Sequence, residues 1–202
     1  MNTPGLPGVT PSHRTVPAPP SRANSFALPV PADARRALAR GWLWLGLLAL
    51  IVSGLFSVLL VVSRTPGLNR VLPVADLFRV ALVVHVDLSV LVWFVALAGL
   101  LWSLNGSRRF MGWAWAALGL CGLGAALMSL TPLFGALDPI MVNYIPVLDA
   151  APFITGLLVF AAGALLLVVR GLVTAPKIGP APDATGALRF GLNSSVVASA
   201  VA

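Results

Sequence analysis

Charged side chains are scarce in this chain: Asp, Glu, Lys and Arg make up 9% of its 202 residues, whereas apolar residues make up 58%. The mean hydropathy is +0.96. A typical soluble domain has about a quarter of its residues charged, so this composition excludes a soluble globular protein. It predicts an all-α fold, a polytopic bundle of membrane-spanning helices.

Cysteine is almost absent, since Cys121 is the single copy. One thiol excludes a disulfide framework and a thiolate metal site within the chain. Cys121 lies in an apolar run beside Gly122 and Gly124. We therefore interpret it as a small core residue rather than a reactive thiol.

Acidic residues are also few, with six against thirteen basic residues and a net charge of +7. The basic residues lie in the N-terminal tail and in short connections, not on an amphipathic face with interleaved aromatic residues. They indicate membrane topology rather than a nucleic-acid site, so no nucleic-acid partner is expected.

The N-terminal segment differs in composition from the rest of the chain. Residues 1–33 contain eight of the seventeen prolines and almost no periodic apolar pattern. We predict a disordered, cytoplasmic, Pro-rich tail over residues 1–38 and a transmembrane helical domain over 39–202. The apolar run that follows the tail is too long for a typical signal-peptide core and lacks a small-residue cleavage site, so it is interpreted as an uncleaved span, with an export signal as the alternative.

Windows of about 20 apolar residues, the length needed to cross a bilayer, predict four complete spans. They are Trp42–Val62, Val80–Leu104, Phe110–Leu130 and about Leu148–Val169. The segment 187–202 begins like a fifth span and stops short of a crossing. We expect either an incomplete piece of a longer polypeptide or a small-residue helix at the membrane surface.

Alternate connections differ in basic charge. The tail, the loop with Arg108 and Arg109, and the segment after the fourth span hold ten basic residues, against three on the other side: Arg64, Arg70 and Arg79. The positive-inside rule therefore predicts a multi-pass protein of a prokaryotic plasma membrane with a cytoplasmic N-terminus.

His85 is one of two histidines and lies inside the second predicted span. An ionisable group at this depth demands a partner, and neutral imidazole is a common metal and haem ligand. At about 1.5 Å per residue, His85 lies about 9 Å inside the outer end of the span. A haem bound there can turn its propionates towards Arg70 and Arg79. The structural alternative is a neutral histidine bonded to a backbone carbonyl or hydroxyl group.

Asp87 lies about 200° around the same helix from His85, so the two side chains point in nearly opposite directions. A helix with polar groups on two sides needs neighbours on both, which favours a larger assembly. Asp87 is interpreted as a protonated or Arg-paired structural carboxyl group, with proton transfer as the alternative.

The stretch from Phe78 to Trp93, together with Asn143–Asp149, resembles the amino-terminal third of the haem-copper oxidase catalytic subunit, cytochrome c oxidase subunit I. The resemblance covers about residues 40–202. In that family the second span carries, near its outer end, a histidine that ligates the low-spin haem, and His85 matches it in span, depth and flanking pattern. The resemblance implies an oxidoreductase of the respiratory chain, with His85 as an axial haem-iron ligand and Arg79 and Arg70 as weaker candidates for propionate binding.

The chain departs from that family in its ligand set. The second low-spin ligand, the high-spin haem ligand and the copper-binding histidines lie in later spans of the family, and this chain has no spare membrane histidine for them. It cannot build the oxygen-reducing centre alone. The resemblance therefore implies a fragment whose partners are the remaining oxidase spans or subunits, with copper only in the missing part and electrons supplied by cytochrome c or quinol.

Two other functions remain open at this point. One is a small membrane cytochrome b in which two chains each donate His85 to a shared haem. The other is a non-enzymatic assembly or scaffold protein whose Gly-rich third span packs closely against a partner helix. Haem content and subunit stoichiometry separate the three hypotheses.

Overall fold

The structure is a computed structural model that describes residues 28–65, 76–134, 138–141, 145–178 and 184–202. In these ranges, four helices are long and apolar enough to cross a membrane. They are α1 (Ala34–Val62), α2 (Leu77–Asn105), α3 (Met111–Leu130) and α4 (Ala151–Thr174). Each of the four predicted spans corresponds to one of these helices.

Helix α1 starts well before the apolar run that predicted it. Asp33 caps its N-terminus, and a side-chain oxygen of Asp33 accepts a hydrogen bond from the backbone N–H of Arg35 at 2.9 Å. The predicted end of the tail at residue 38 is therefore wrong, because residues 34–38 are helical. Arg, Ala and Leu favour helix once a cap is present, whether or not the segment lies in hydrocarbon. Residues 1–27 of the predicted tail lie outside the described residues.

Helices α1 and α2 pack antiparallel along their whole length. Gly99 of α2 lies against the Trp42 indole of α1, where an added Cβ atom would collide with the ring. Further along, Gly46 faces Trp93. The small residues let two bulky indoles fill the space between the helices, which explains why Trp42 is fully buried.

Helices α3 and α4 also pack antiparallel, and more closely. A Cβ atom on Gly124 would lie 2.6 Å from the backbone nitrogen of Phe160, and one on Gly163 would lie 2.8 Å from that of Cys121. Backbone contact of this kind is typical of small-residue interfaces in membranes. The Gly124 side of the Gly-rich third span, which the scaffold hypothesis placed against a partner helix, is thus occupied by α4 of the same chain.

A two-stranded hairpin, which periodicity did not predict, connects α3 to α4. Strands β1 (Asp138–Ile140) and β2 (Val147–Asp149) pair antiparallel, with Pro139 opposite Leu148. The predicted helical fold is confirmed, and the described residues add this short hairpin to it. Strands of three residues are too short for an alternating pattern to reveal them.

A fifth helix, α5 (Thr185–Val201), packs against the ends of α2 and α4. The Trp102 indole N–H donates to the Ser195 hydroxyl at 3.0 Å, and Val196 packs over Gly171. Four candidate spans are found in the described residues and α5 is not among them. Continuation of α5 into a fifth span remains a prediction.

Candidate functional site

A polar cluster of Ser53, His85 and Ser89 lies between α1 and α2. Nδ1 of His85 is 2.9 Å from the Ser53 hydroxyl oxygen and 3.0 Å from the Ser53 carbonyl oxygen. The Ser53 and Ser89 hydroxyls donate to the His85 carbonyl oxygen at 2.9 and 2.7 Å. The cluster joins the two helices through hydrogen bonds inside an otherwise apolar contact.

The geometry favours one imidazole tautomer. A carbonyl oxygen only accepts, so the short distance from Nδ1 to the Ser53 carbonyl favours a proton on Nδ1. The Ser53 hydroxyl then donates to the His85 carbonyl oxygen, and its own oxygen shares the Nδ1 proton with the Ser53 carbonyl oxygen in a bifurcated hydrogen bond. In the part of the chain that is described, Nε2 takes no hydrogen bond, and with the proton on Nδ1 its lone pair is free to bind a metal.

The backbone changes its geometry directly beyond this histidine. Within the continuous helix α2, residues Asp87–Val92 adopt π-helical geometry, with α-helical turns on either side. Single π segments inside α-helices are rare and are frequent at functional sites. Here the π segment starts two residues after His85 and includes Asp87 and Ser89.

Asp87 faces a different environment from His85. It is 2% exposed, and its Oδ2 atom has no hydrogen-bond partner among the described residues. Asp87 lines a groove of about 270 Å³ with Phe94 and Ile145, among other apolar residues. The carboxyl group therefore borders the apolar groove, while the imidazole contacts α1.

Arg79, one of the two predicted propionate partners of a haem at His85, is paired with another residue. Arg79 is more than half exposed and pairs with Asp76 at 3.2 Å, one turn back along the chain. Arg64 stacks over the Phe78 ring at 4.4 Å. Arg70, the other predicted partner, lies outside the described residues.

A metal site built from several side chains is not seen in the described ranges, where no three His, Cys, Asp or Glu residues come together. An axial haem ligand does not require such a cluster, because the porphyrin supplies the other nitrogen ligands. His85 is the only described histidine.

The opposite end of the bundle holds a second polar network, which sequence reasoning missed. Arg170, predicted to lie in a connection, is inside α4 and only 1% exposed; its Nη2 donates to the Ser107 carbonyl oxygen at 3.1 Å.

The guanidinium group of Arg35 bonds to Asp33 and to the Gly106 carbonyl oxygen. The hydrogen bonds that Asp33 accepts from Arg35, chiefly from its side chain, lower the pKa of the Asp33 carboxyl group below its ordinary value. We call this end, with the N-termini of α1 and α3 and the C-termini of α2 and α4, the basic end.

Only one signal in the sequence pointed to this network. No glycine or proline lies in the six residues before Arg170, Ala164–Val169, which permits the helix to continue past the charge. The sequence could not predict the direction of the Arg170 side chain, because burial of an arginine depends on which carbonyl oxygens of other segments lie nearby.

Comparison with known proteins returns two bacterial relatives. The chain is 30% identical over 157 residues to an uncharacterized protein of Rickettsia prowazekii (strain Madrid E), an alignment that covers 66% of this chain and 31% of the relative. It is also 30% identical over 138 residues to an uncharacterized protein of Aquifex aeolicus (strain VF5), covering 67% and 34%. The chain thus spans about a third of the length of these relatives. No protein-family model matches the chain, and no solved structure matches it.

Proposed function

We propose that this chain is the amino-terminal part of a haem-copper-type terminal oxidase subunit I, and that His85 is an axial ligand of a low-spin haem. The observation that carries the proposal is the hydrogen bond between Nδ1 of His85 and the Ser53 carbonyl oxygen. Histidines that bind metals through Nε2 almost always donate the other N–H to a carbonyl or carboxylate group. Such a bond orients the ring and makes Nε2 a stronger ligand.

The residues present fit this cofactor. His85 is half-buried, so its ring is partly accessible from the surface of the described bundle. Ser53 is 2% exposed and cannot easily leave its position. When bound, the haem supplies one-electron transfer; the chain supplies an oriented ligand and an apolar environment.

In the proposed arrangement, the N-terminus is cytoplasmic and the protein is a multi-pass protein of a prokaryotic plasma membrane. The ten-to-three distribution of basic residues supports this orientation. His85 then lies in the outer half of the bilayer, and Arg79, with Arg70, is available for propionate groups if its pair with Asp76 opens.

The remaining ligands and the copper site belong to further spans or subunits of the proposed oxidase, and cytochrome c or quinol supplies its electrons. The whole activity, terminal electron transfer, is proposed for that assembly rather than for the 202 residues alone. The length of the relatives supports this, since the matched region is about a third of each.

The test uses the protein expressed from its native gene and purified from membranes. We expect His85→Ala to abolish the low-spin haem band of the reduced-minus-oxidised spectrum while the protein still inserts into the membrane. Asp87→Asn is the matched control, because Asp87 lies two residues away on the same helix but faces the groove; it should keep the band.

Three outcomes contradict the proposal. A His85→Ala protein with an unchanged low-spin spectrum leaves His85 as a structural residue. Purified protein without any haem favours a scaffold function. One haem per two chains, in a protein with no further subunits, favours the dimeric cytochrome b instead.

A further inference from the structure

The basic end contains a cavity of about 370 Å³, which we call the basic-end pocket. Its walls include Arg35, Asn105 and Arg189 and the apolar side chains of Leu28 and Leu104. It lies about 30 Å along α2 from His85, so it is separate from the proposed haem site. Its volume is about that of a dozen water molecules.

The charge around this pocket is strongly one-sided. Described residues at the basic end include one acidic residue, Asp33, and eight basic residues: Arg35, Arg36, Arg40, Arg108, Arg109, Arg170, Lys177 and Arg189. Asp33 is engaged by Arg35 at 2.9 Å and lies 3.9 Å from Arg108. The acidic residue therefore offsets only a small part of the positive charge, and the field at this end favours an anion.

The two pocket arginines have different roles. Arg35 is held rigidly, because its guanidinium group bonds both Asp33 and the Gly106 carbonyl oxygen. Arg189 is half-buried and makes no ion pair or side-chain hydrogen bond within the described residues. A guanidinium group without a partner beside a cavity is suited to a phosphate group, which it can bind through two parallel N–H···O bonds.

Asn105, one of the residues that line the pocket, has an oxygen atom without a hydrogen-bond donor. The side-chain amide of Asn193 donates to the Pro176 carbonyl oxygen at 3.0 Å. This bond directs the Oδ1 atom of Asn193 towards Asn105. Asn105 donates to that Oδ1 at 2.9 Å, and this leaves its own Oδ1 buried without a partner. A ligand that carries donors as well as an anion satisfies both Arg189 and Asn105.

The position of the pocket fits a lipid head group. Its walls come from the end of α2, the residues just after α4 and the segment before α1, where the spans leave hydrocarbon. Trp102, one turn deeper, lies at the level typical of interfacial aromatic residues. Basic pockets between spans on the cytoplasmic side bind the head groups of anionic lipids.

We propose that the basic-end pocket binds the phosphodiester of an anionic phospholipid with a glycerol head group. Arg189 bonds the phosphate oxygens, and Arg35 contributes positive charge from a fixed position. The Asn105 Oδ1 accepts a hydrogen bond from a head-group hydroxyl. Leu28 and Leu104 contact the apolar part of the lipid next to the head group.

The experiment measures thermal unfolding of the purified protein in phosphatidylcholine vesicles with increasing amounts of phosphatidylglycerol. Phosphatidylglycerol should raise the unfolding midpoint, and Arg189→Gln should weaken its apparent affinity by about tenfold or more. Arg189→Lys should keep part of the effect. Arg36→Gln is the control, because Arg36 is exposed, neighbours Arg35 and does not line the pocket; it should retain the full effect.

Two further arms identify the ligand. Phosphatidylmethanol has the same phosphodiester charge without hydroxyl groups, so it should stabilise the protein less than phosphatidylglycerol does. Inorganic phosphate should have no effect at matched concentration. The proposal is overturned if phosphate alone reproduces the stabilisation, or if phosphatidylglycerol raises the unfolding midpoint no further than phosphatidylcholine does. It is also overturned if Arg36→Gln and Arg189→Gln weaken the apparent affinity for phosphatidylglycerol equally.

Discussion

The basic end and the middle of α2 differ in whether their polar groups have hydrogen-bond partners within the chain. At the basic end, side chains of two helices bond the backbone between α2 and α3: Arg170 of α4 donates to the Ser107 carbonyl oxygen, and Arg35 of α1 donates to that of Gly106. In the middle of α2, the Asp87 Oδ2 meets no described partner, and Val90 and Phe94 beside it are 50% and 61% exposed. Lipid cannot hydrogen-bond a carboxyl group, so the Asp87 face needs protein or water, whereas the basic end is joined by contacts within the chain.

Arg170→Ala should have the largest effect on the stability of the bundle. The change leaves the Ser107 carbonyl oxygen without its donor and opens a cavity between α3 and α4, at an expected cost of about 3 kcal/mol in the free energy of unfolding. Unfolding by sodium dodecyl sulfate, followed by circular dichroism in mixed micelles, measures it. Arg109→Ala, at an exposed position, is the control; equal losses in both variants would mean that burial of Arg170 contributes nothing.

Ser53→Ala should lower the free energy of unfolding by less, about 1 kcal/mol, because one hydroxyl hydrogen bond between α1 and α2 is lost. The Ser53 backbone carbonyl remains to accept from Nδ1 of His85. We therefore expect the low-spin haem band to persist in Ser53→Ala, in contrast to His85→Ala. Loss of the band in both variants would show that the hydroxyl, not the carbonyl, sets the ring orientation.

Asp87→Leu tests whether the Asp87 face is unpaired in this chain. Replacing a buried carboxyl group that lacks a donor with an apolar side chain should stabilise the isolated 202-residue chain by about 1 kcal/mol. In protein from the native gene, the same change should lower stability if another helix supplies a donor. Destabilisation of the 202-residue chain itself would show that Asp87 already has a partner.

Asp33→Asn should have the smallest effect, and one that depends on pH. The folded-state pKa of Asp33 lies below its ordinary value, so the ionised form stabilises the fold above about pH 4 and this contribution is lost as the pH falls through the depressed pKa. Asparagine also caps helices well, so only the ionic part is removed. Unfolding midpoints of the two proteins should differ at pH 7 and converge below pH 3; a constant difference would contradict the assignment.

The limits of sequence reasoning are clearest at particular residues. The span that became α2 was predicted within a few residues at either end, because its apolar run is long. The pairing of His85 with Ser53 was not predicted, because Ser53 is distant in sequence and a single serine in an apolar run carries no periodic signal. The start of α1 at Ala34 was missed for another reason: hydropathy marks where a helix leaves hydrocarbon, not where its hydrogen bonding ends.

The sequence by itself determined that the chain has four helices long and apolar enough to cross a membrane, since those properties depend on composition and on run length relative to the bilayer. It also placed one histidine and one carboxyl group within the same helix. Only the tertiary structure decided that Arg170 points inwards, that Gly124 serves the contact of α3 with α4, and that the Nδ1 atom of His85 is engaged by α1. These outcomes depend on which helices pack together and at what register, and side-chain contacts between distant segments leave no trace in local composition.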